Sequence, residues 1–314
     1  MTSEITLFVN PTAGRGRGAG AAQPAASALR TAGFSVRTVI GEDAGDALLR
    51  ARAAVSEGTG ALVAVGGDGL VNLALQAVAG TRTPLGVVAV GTGNDFARSL
   101  GLPVRAPAAA GALVAESLKG ELIRDIDLGR IGGHWFGTVL ASGFDSRVND
   151  RGNRMRLPLG RFKYDLAIVA ELASFEPVPF RLTLDDGSVR EIAATLVAVG
   201  NGTSYGGGMR ICAGADMADG LFDVTVVGAC SRTTLLRVFP RVYKGTHLSH
   251  PVVSTYRAAR VELVTEAGAG ITGYADGEAV GPLPLVAECV PGAVRVLSGR
   301  RPAGQDPSGE RPTG

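Results

Sequence analysis

A chain of 314 residues, 46% hydrophobic and 19% charged, is too long for one small core and short for three, and its composition is that of a globular protein with two domains of ordinary size. The formal net charge of +2 argues against wholesale nucleic-acid binding, and no run of Lys and Arg is interleaved with aromatic residues as a stacking platform would be. Cys212, Cys230 and Cys289 make no CxxC pair, and His134, His247 and His250 make no HxxxH spacing, so neither a disulfide framework nor a zinc site is expected from them.

The start, MTSEITLFVN, lacks a positive region followed by a long apolar core and reads as a first strand rather than a signal peptide. No stretch of about 18 uninterrupted apolar residues follows, so no membrane span is expected and a lipid substrate would be met at the membrane from the cytoplasm. Over roughly residues 1–124, short apolar strands alternate with helical stretches. Strands are predicted at 5–9, 35–40, 61–65 and 86–90, and helices at 20–32, 44–57, 70–79 and 107–119. This order predicts an α/β, Rossmann-like domain, a parallel sheet with helices on both faces, whose ligands sit beyond the carboxyl ends of the strands.

From about Asp125 the pattern changes to many short strands separated by Gly, Asn and Asp turns, which predicts a β-rich, sandwich-like second domain over 125–291. Helices are predicted at about 161–173 and 231–243. The segment at about 292–300 is expected to return to the first domain. The Gly- and Pro-rich end, from Ser298 and including a disordered tail over 301–314, reads as loose.

Three glycine-rich turns follow predicted strands. NPTAGRGRGAG, from Asn10, leads from a strand into a helix, where backbone N–H groups and the helix dipole suit a phosphate; alone it would as readily be a surface turn. VAVGGDGLVN, from Val63, sets Asp68 among Gly66, Gly67 and Gly69, so a phosphate chain can approach the backbone and the carboxylate can organise magnesium or polarise a hydroxyl. The plainer alternative is that Asp68 caps the helix starting at Leu70. VVAVGTGNDFARSLG, from Val87, repeats the design, with capping as the alternative for Asn94 and Asp95.

In this order and at these separations, NPTAG, GGDG and GTGNDFAR resemble the nucleotide-binding domain of the bacterial diacylglycerol kinase and lipid kinase family, which is also similar to sphingosine kinases. The resemblance continues in SGFDSRV from Ser142, NRMRLPLGRFKYDLAIVAEL from Asn153, VGNGTSYGGGMRICAGADMADGLFDV from Val199 and YADGE from Tyr274. It implies ATP and Mg2+ as cofactors. ATP contacts would come from Asn10, Pro11, Thr12, Ala13 and Gly14, from Gly66, Gly67, Asp68, Gly69, Leu70, Val71 and Asn72, and from Thr92, with Asn94 on the third turn counted beside them. Glu278 would be the proton acceptor, supported by Asp276 and with Asp68 as a further catalytic carboxylate. Asp219, with main-chain oxygens of Asp216 and Leu221, would match a magnesium-binding turn.

A lipid hydroxyl is a poor nucleophile at neutral pH, and a carboxylate facing the γ-phosphate can accept its proton as the bond forms. Diacylglycerol is the expected acceptor, met at the membrane surface by a cytoplasmic, peripherally bound enzyme with no nucleic-acid partner and with room for a homodimer. Leu70, Leu73 and Ala89 depart from a Thr, Glu and Pro common in the family, and Gly41 stands where relatives can present a Thr to the nucleotide. A NAD kinase, which shares GGDG, and a homologue that binds nucleotide or membrane without turnover are the alternatives. The cations Arg147, Arg151, Arg154, Arg156, Arg161 and Lys163 form either a solvated helix face or a contact with anionic headgroups.

Overall fold

A computed structural model describes residues 4–143, 177–266 and 270–299. The strands β1 (Glu4–Val9), β2 (Ser35–Val39), β3 (Leu62–Gly66) and β4 (Leu85–Ala89) form a parallel sheet in the order β2-β1-β3-β4. Successive side chains of a strand point to opposite faces. Ile5, Leu7 and Val9 therefore pack with α1 (Ala13–Thr31) and α5 (Pro107–Lys119), whereas Phe8, Leu62 and Ala64 pack with α2 (Ala44–Ser56) and α3 (Asp68–Val78). Helices cover both faces, as the alternation of the sequence predicts. A short α4 (Asp95–Ser99) follows β4.

The first helix begins seven residues earlier than the expected start at Gly20. Its glycines suggested a longer loop, but they serve close approach instead: a Cβ on Gly18 would stand 2.0 Å from the Asn10 carbonyl oxygen. The helix thus packs its first turns directly onto the loop that precedes it.

The second half is mostly antiparallel: β5 (Ile123–Ile131), β6 (His134–Phe136), β7 (Val139–Gly143), β8 (Val178–Leu184), β9 (Val189–Gly200), β10 (Phe222–Gly228), β11 (Val253–Ala258), β12 (Arg260–Thr265), β13 (Thr272–Ala275), β14 (Glu278–Pro282) and β15 (Leu285–Leu297), with α6 (Arg232–Val242) between β10 and β11. Phe136, Phe180, Leu182, Phe222, Val261 and Leu263 fill one core. Val139, Ala141, Ala198, Cys212 and Val242 belong to another, under α6. β15 pairs antiparallel with β12 and β5 and then meets β4 in parallel at Val296 and Leu85, so one strand runs from the antiparallel region into the parallel sheet.

The end of the described chain is docked: Gly299 N–H donates to Ser117 Oγ at 3.0 Å, which corrects the loose tail expected from Ser298. The helix expected at 161–173, the cation cluster from Arg147 to Lys163, the motif from Asn153 and the tail at 301–314 lie outside the described residues.

Candidate active site

The three turns converge because β1, β3 and β4 are neighbours and end on the same side. Asn10 N–H donates to Val65 O at 3.2 Å, and Val90 N–H donates to Gly66 O at 2.8 Å. The second and third turns are in backbone contact, since a Cβ on Gly91 would lie 2.5 Å from Gly67 Cα. Only glycine fits there. In the first turn Asn10 Oδ1 accepts from Thr12 N–H at 3.0 Å and from Thr12 Oγ1 at 2.8 Å, and Ala13 and Gly14 already lie in α1. Arg17 then reaches across, donating from Nε to Val90 O and from Nη2 to Gly91 O, each at 3.3 Å. This cation ties the first turn to the third, a role not expected from its place in the NPTAGRGRGAG stretch. A charged residue inside a glycine-rich turn was the available signal.

Asp68 opens α3 but does not cap it. Its Oδ2 accepts from Asn94 N–H at 2.6 Å and its Oδ1 from Asp95 N–H at 2.7 Å, so it caps α4 across the site. Burial pushes its carboxyl above the ordinary range, opposed by those backbone donors and reinforced by the nearby Asp276. Asn94 adopts φ 63°, and its Nδ2 donates to Gly91 O at 3.1 Å.

Asp95 is buried behind it, with Oδ2 accepting from Gly207 N–H at 2.7 Å. Burial, followed by the charge of Asp68, pushes Asp95 up to about 6. Asp95 Oδ1 and Asn94 Oδ1 are buried without a hydrogen-bond partner in the described structure. The glycine-rich turn after β9 is thereby joined to the third glycine-rich turn of the first half.

The YADGE turn is fastened to the same place. Asp276, at φ 51°, has Oδ1 accepting from Thr138 N–H at 2.8 Å and from Thr138 Oγ1 at 2.5 Å. Its Oδ2 accepts from Gly137 N–H at 2.7 Å and from Asn72 Nδ2 at 3.4 Å. Every lone-pair direction of this carboxylate is engaged, which suits a support and not a proton acceptor. Glu278, two residues on, is exposed at the start of β14. Asn72 is buried and faces Asp276 and the Trp135 carbonyl.

Two more of the expected nucleotide residues turn inward. Leu70 and Val71 are buried in the core beside α2, and Leu70 Cδ2 covers the place where a Gly66 Cβ would be. Their side chains bring apolar packing to the turn. Thr92 is exposed, and its carbonyl accepts from Arg105 Nη2 at 3.0 Å. Gly41 has a packing reason of its own: a Cβ would stand 2.4 Å from Ala47 Cα, so a threonine there would collide with α2.

The turn at 216–221 is closed on itself. Asp219 Oδ1 accepts from Leu221 N–H at 3.1 Å, Asp219 Oδ2 accepts from Arg257 Nη2, and the same guanidinium lies 3.6 Å from Asp223. Asp127, buried, clamps the turn from β5 by accepting from Gly220 N–H at 2.7 Å and from Gly292 N–H at 2.9 Å. Burial raises the Asp219 carboxyl and Arg257 opposes the shift. Each Asp219 oxygen accepts one donor and keeps a second lone pair, so the carboxylate that the resemblance assigned to magnesium is shared with Arg257 and the Leu221 N–H. Among the described residues no group of three or more His, Cys, Asp or Glu could hold a metal ion.

Residues 4–131 match the diacylglycerol kinase catalytic domain, and residues 138–298 match the YegS C-terminal NAD kinase beta sandwich-like domain. A diacylglycerol kinase of Mycobacterium tuberculosis is 47% identical over 304 residues, covering 95% of this chain and 96% of the relative. One of Bacillus subtilis is 28% identical, covering 88% and 90%. Among solved structures, a diacylglycerol kinase of Bacillus anthracis superposes with a TM-score of 0.73 at 24% identity, covering 95% and 97%. A NAD kinase of Archaeoglobus fulgidus in complex with ATP is more distant in fold, with a TM-score of 0.53 at 12% identity, covering 95% and 93%. The likeness runs along nearly the whole length of a chain whose three glycine turns converge at the end of a parallel sheet and whose β-rich half returns YADGE to them, and the chain belongs to the diacylglycerol kinase family of enzymes that phosphorylate an alcohol.

Proposed function

We propose that the chain transfers the γ-phosphoryl group of ATP to the hydroxyl of diacylglycerol, with Glu278 as proton acceptor. The observation that carries this reading is the anchoring of Asp276 to Asn72 and to the Gly137–Thr138 backbone, which ties the YADGE turn to the helix that GGDG begins. Glu278 stands on that turn with its carboxylate exposed, whereas Asp276 and Asp68 have theirs engaged. Glu278 is therefore the carboxylate left to take a proton, and Asp276 and Asp68 are positioning residues.

The phosphate chain would lie on backbone N–H groups of the turns at Asn10–Gly14, Gly66–Gly69 and Thr92, where the N-termini of α1 and α3 favour negative charge. Pro11 lacks an N–H and sets the turn; Leu70, Val71 and Asn72 hold it from behind. Arg17 adds a fixed cation between the first and third turns. Magnesium would enter as the partner of the nucleotide and supply charge neutralisation during transfer. The unpartnered oxygens of Asp95 and Asn94 are hard donors that suit such an ion. We assign no catalytic step to a metal at the 216–221 turn. The division into a nucleotide-binding part to about residue 124, rejoined by 292–300, and an acceptor-binding part over 125–291 is supported by the course of β15, and the cleft would lie between them. A cytoplasmic site of action at the membrane surface follows from the lipid acceptor; among the described residues no helix is long and apolar enough to cross a membrane.

Incubation with labelled ATP, magnesium and mixed micelles of candidate lipids, followed by identification of the product, tests the reading. Phosphatidic acid formed from diacylglycerol is expected. Label appearing in NADP when NAD is supplied, or ATP binding without turnover on any lipid, would overturn it.

A further inference from the structure

Among the described residues, one face of α6 is left exposed. Val238 and Val242 are buried, with Leu235 and Phe239 half-buried beside them, while Leu236 and Tyr243 are 55% and 40% exposed. Seven residues separate these two, about two helical turns, so they share a stripe on the outer side. Phe239 packs edge-on against Tyr243 with ring centroids 6.0 Å apart, which braces the outer ring.

Cations surround that stripe. Arg232, Arg237, Arg241 and Lys244 belong to α6 and its C-terminal turn, and none of them is in a salt bridge among the described residues. From Val224 to Val261 the sequence has no Asp or Glu at all. In a chain whose net charge is only +2, this is a local concentration of one sign. α6 also ends beside the candidate active site. Arg210 N–H donates to Val242 O at 3.1 Å, and three residues earlier Gly207 N–H binds Asp95. Three residues of chain span at most about 11 Å.

We propose that this face of α6 docks on the surface of an anionic lipid bilayer and holds the site at the membrane. The proposal rests on the reading of the acceptor as a membrane lipid. Four cations suit phosphate headgroups, and Leu236 and Tyr243 suit the boundary between headgroups and acyl chains. A second copy of the chain is a poorer occupant, because a twofold interface would oppose cations to cations. Docking here would bring lipid to the cleft through the Gly207–Arg210 segment, without any change in the chemistry.

The test is co-sedimentation with vesicles of phosphatidylglycerol or of phosphatidylcholine alone, using wild type, Leu236→Ser, and Arg237→Gln with Lys244→Gln. All these side chains are exposed, and melting curves control for the fold. Wild type should prefer phosphatidylglycerol and release at high salt. Losing two cations should weaken that binding about 30-fold, and Leu236→Ser should weaken it further, with turnover on a dispersed short-chain diacylglycerol unchanged. Equal vesicle binding by variant and wild type, or a change of mass by light scattering without vesicles, would overturn the proposal. Vesicle binding that depends on α6 with no turnover on any lipid would instead overturn the reading of the acceptor.

Discussion

Asn72 and Asp276 lie 204 residues apart, yet Asn72 Nδ2 donates to Asp276 Oδ2 at 3.4 Å. Through this contact, and the shorter bonds from Gly137 and Thr138, the turn that carries Glu278 is fixed against the helix that carries Asp68. Two carboxylates only two residues apart should therefore fail in different ways.

Glu278→Gln keeps an exposed side chain of the same size but cannot accept a proton. Turnover should fall by about 10² to 10⁴ while ATP affinity and melting temperature hold. Asp276→Asn puts an NH2 group against N–H donors, so it should lose roughly 2 kcal/mol or more of stability together with activity. Single-turnover kinetics beside calorimetry separates the two. A melting shift in the Glu278 variant as large as that of the Asp276 variant would remove the distinction.

Asp68→Asn retains one acceptor oxygen for the two backbone donors of α4. The third turn should loosen, so KM for ATP should rise and turnover should fall about 10²-fold. Near wild-type values of both would leave Asp68 as an ordinary helix cap with no bearing on the nucleotide.

Asp95 gives a pH dependence. Its carboxyl is pushed up to about 6 in the folded protein from an ordinary 3.8, so the folded state binds the proton more tightly. Its ionisation then lowers stability progressively as pH rises from about 4 to about 6, and the penalty stays constant above that. Asp95→Asn, which keeps an acceptor for Gly207 N–H, should melt close to wild type at pH 4 and above it at pH 7. A gap that does not widen between those values would argue against the shift.

Arg257 supplies the cation at the 216–221 turn. Chelators and added magnesium should leave the melting temperature of the nucleotide-free protein unchanged. Arg257→Met should melt lower, and millimolar magnesium should restore part of the loss, because Asp219 Oδ2 is then free of its cation. A wild-type melting temperature that drops on chelation would show that a metal is held there after all.

Leu70→Thr, which restores the family's commoner residue, should cost about 1–3 kcal/mol without raising turnover, because the side chain is buried over Gly66. Thermal melts and steady-state rates on the same sample check both halves of that statement.

The positions of β1 to β4 and of α2, α3 and α5 could be read from the sequence to within two residues, because apolar periodicity reports which face of an element is buried and local turn chemistry marks its ends. The glycine turns were visible for the same reason: glycine is needed wherever backbone meets backbone, and three such turns after three apolar strands leave few alternatives. What the sequence could not determine was the direction of each polar group. Asp68 caps α4 and not α3, Asn72 meets Asp276, Leu70 turns into the core, and Arg257 occupies Asp219. Each of these is a contact between residues brought together only by the packing of separate strands and helices. A carboxylate's role depends on which N–H groups point at it, and that orientation is set by tertiary structure, whereas the choice of strand or helix is made by the residues nearest in the chain.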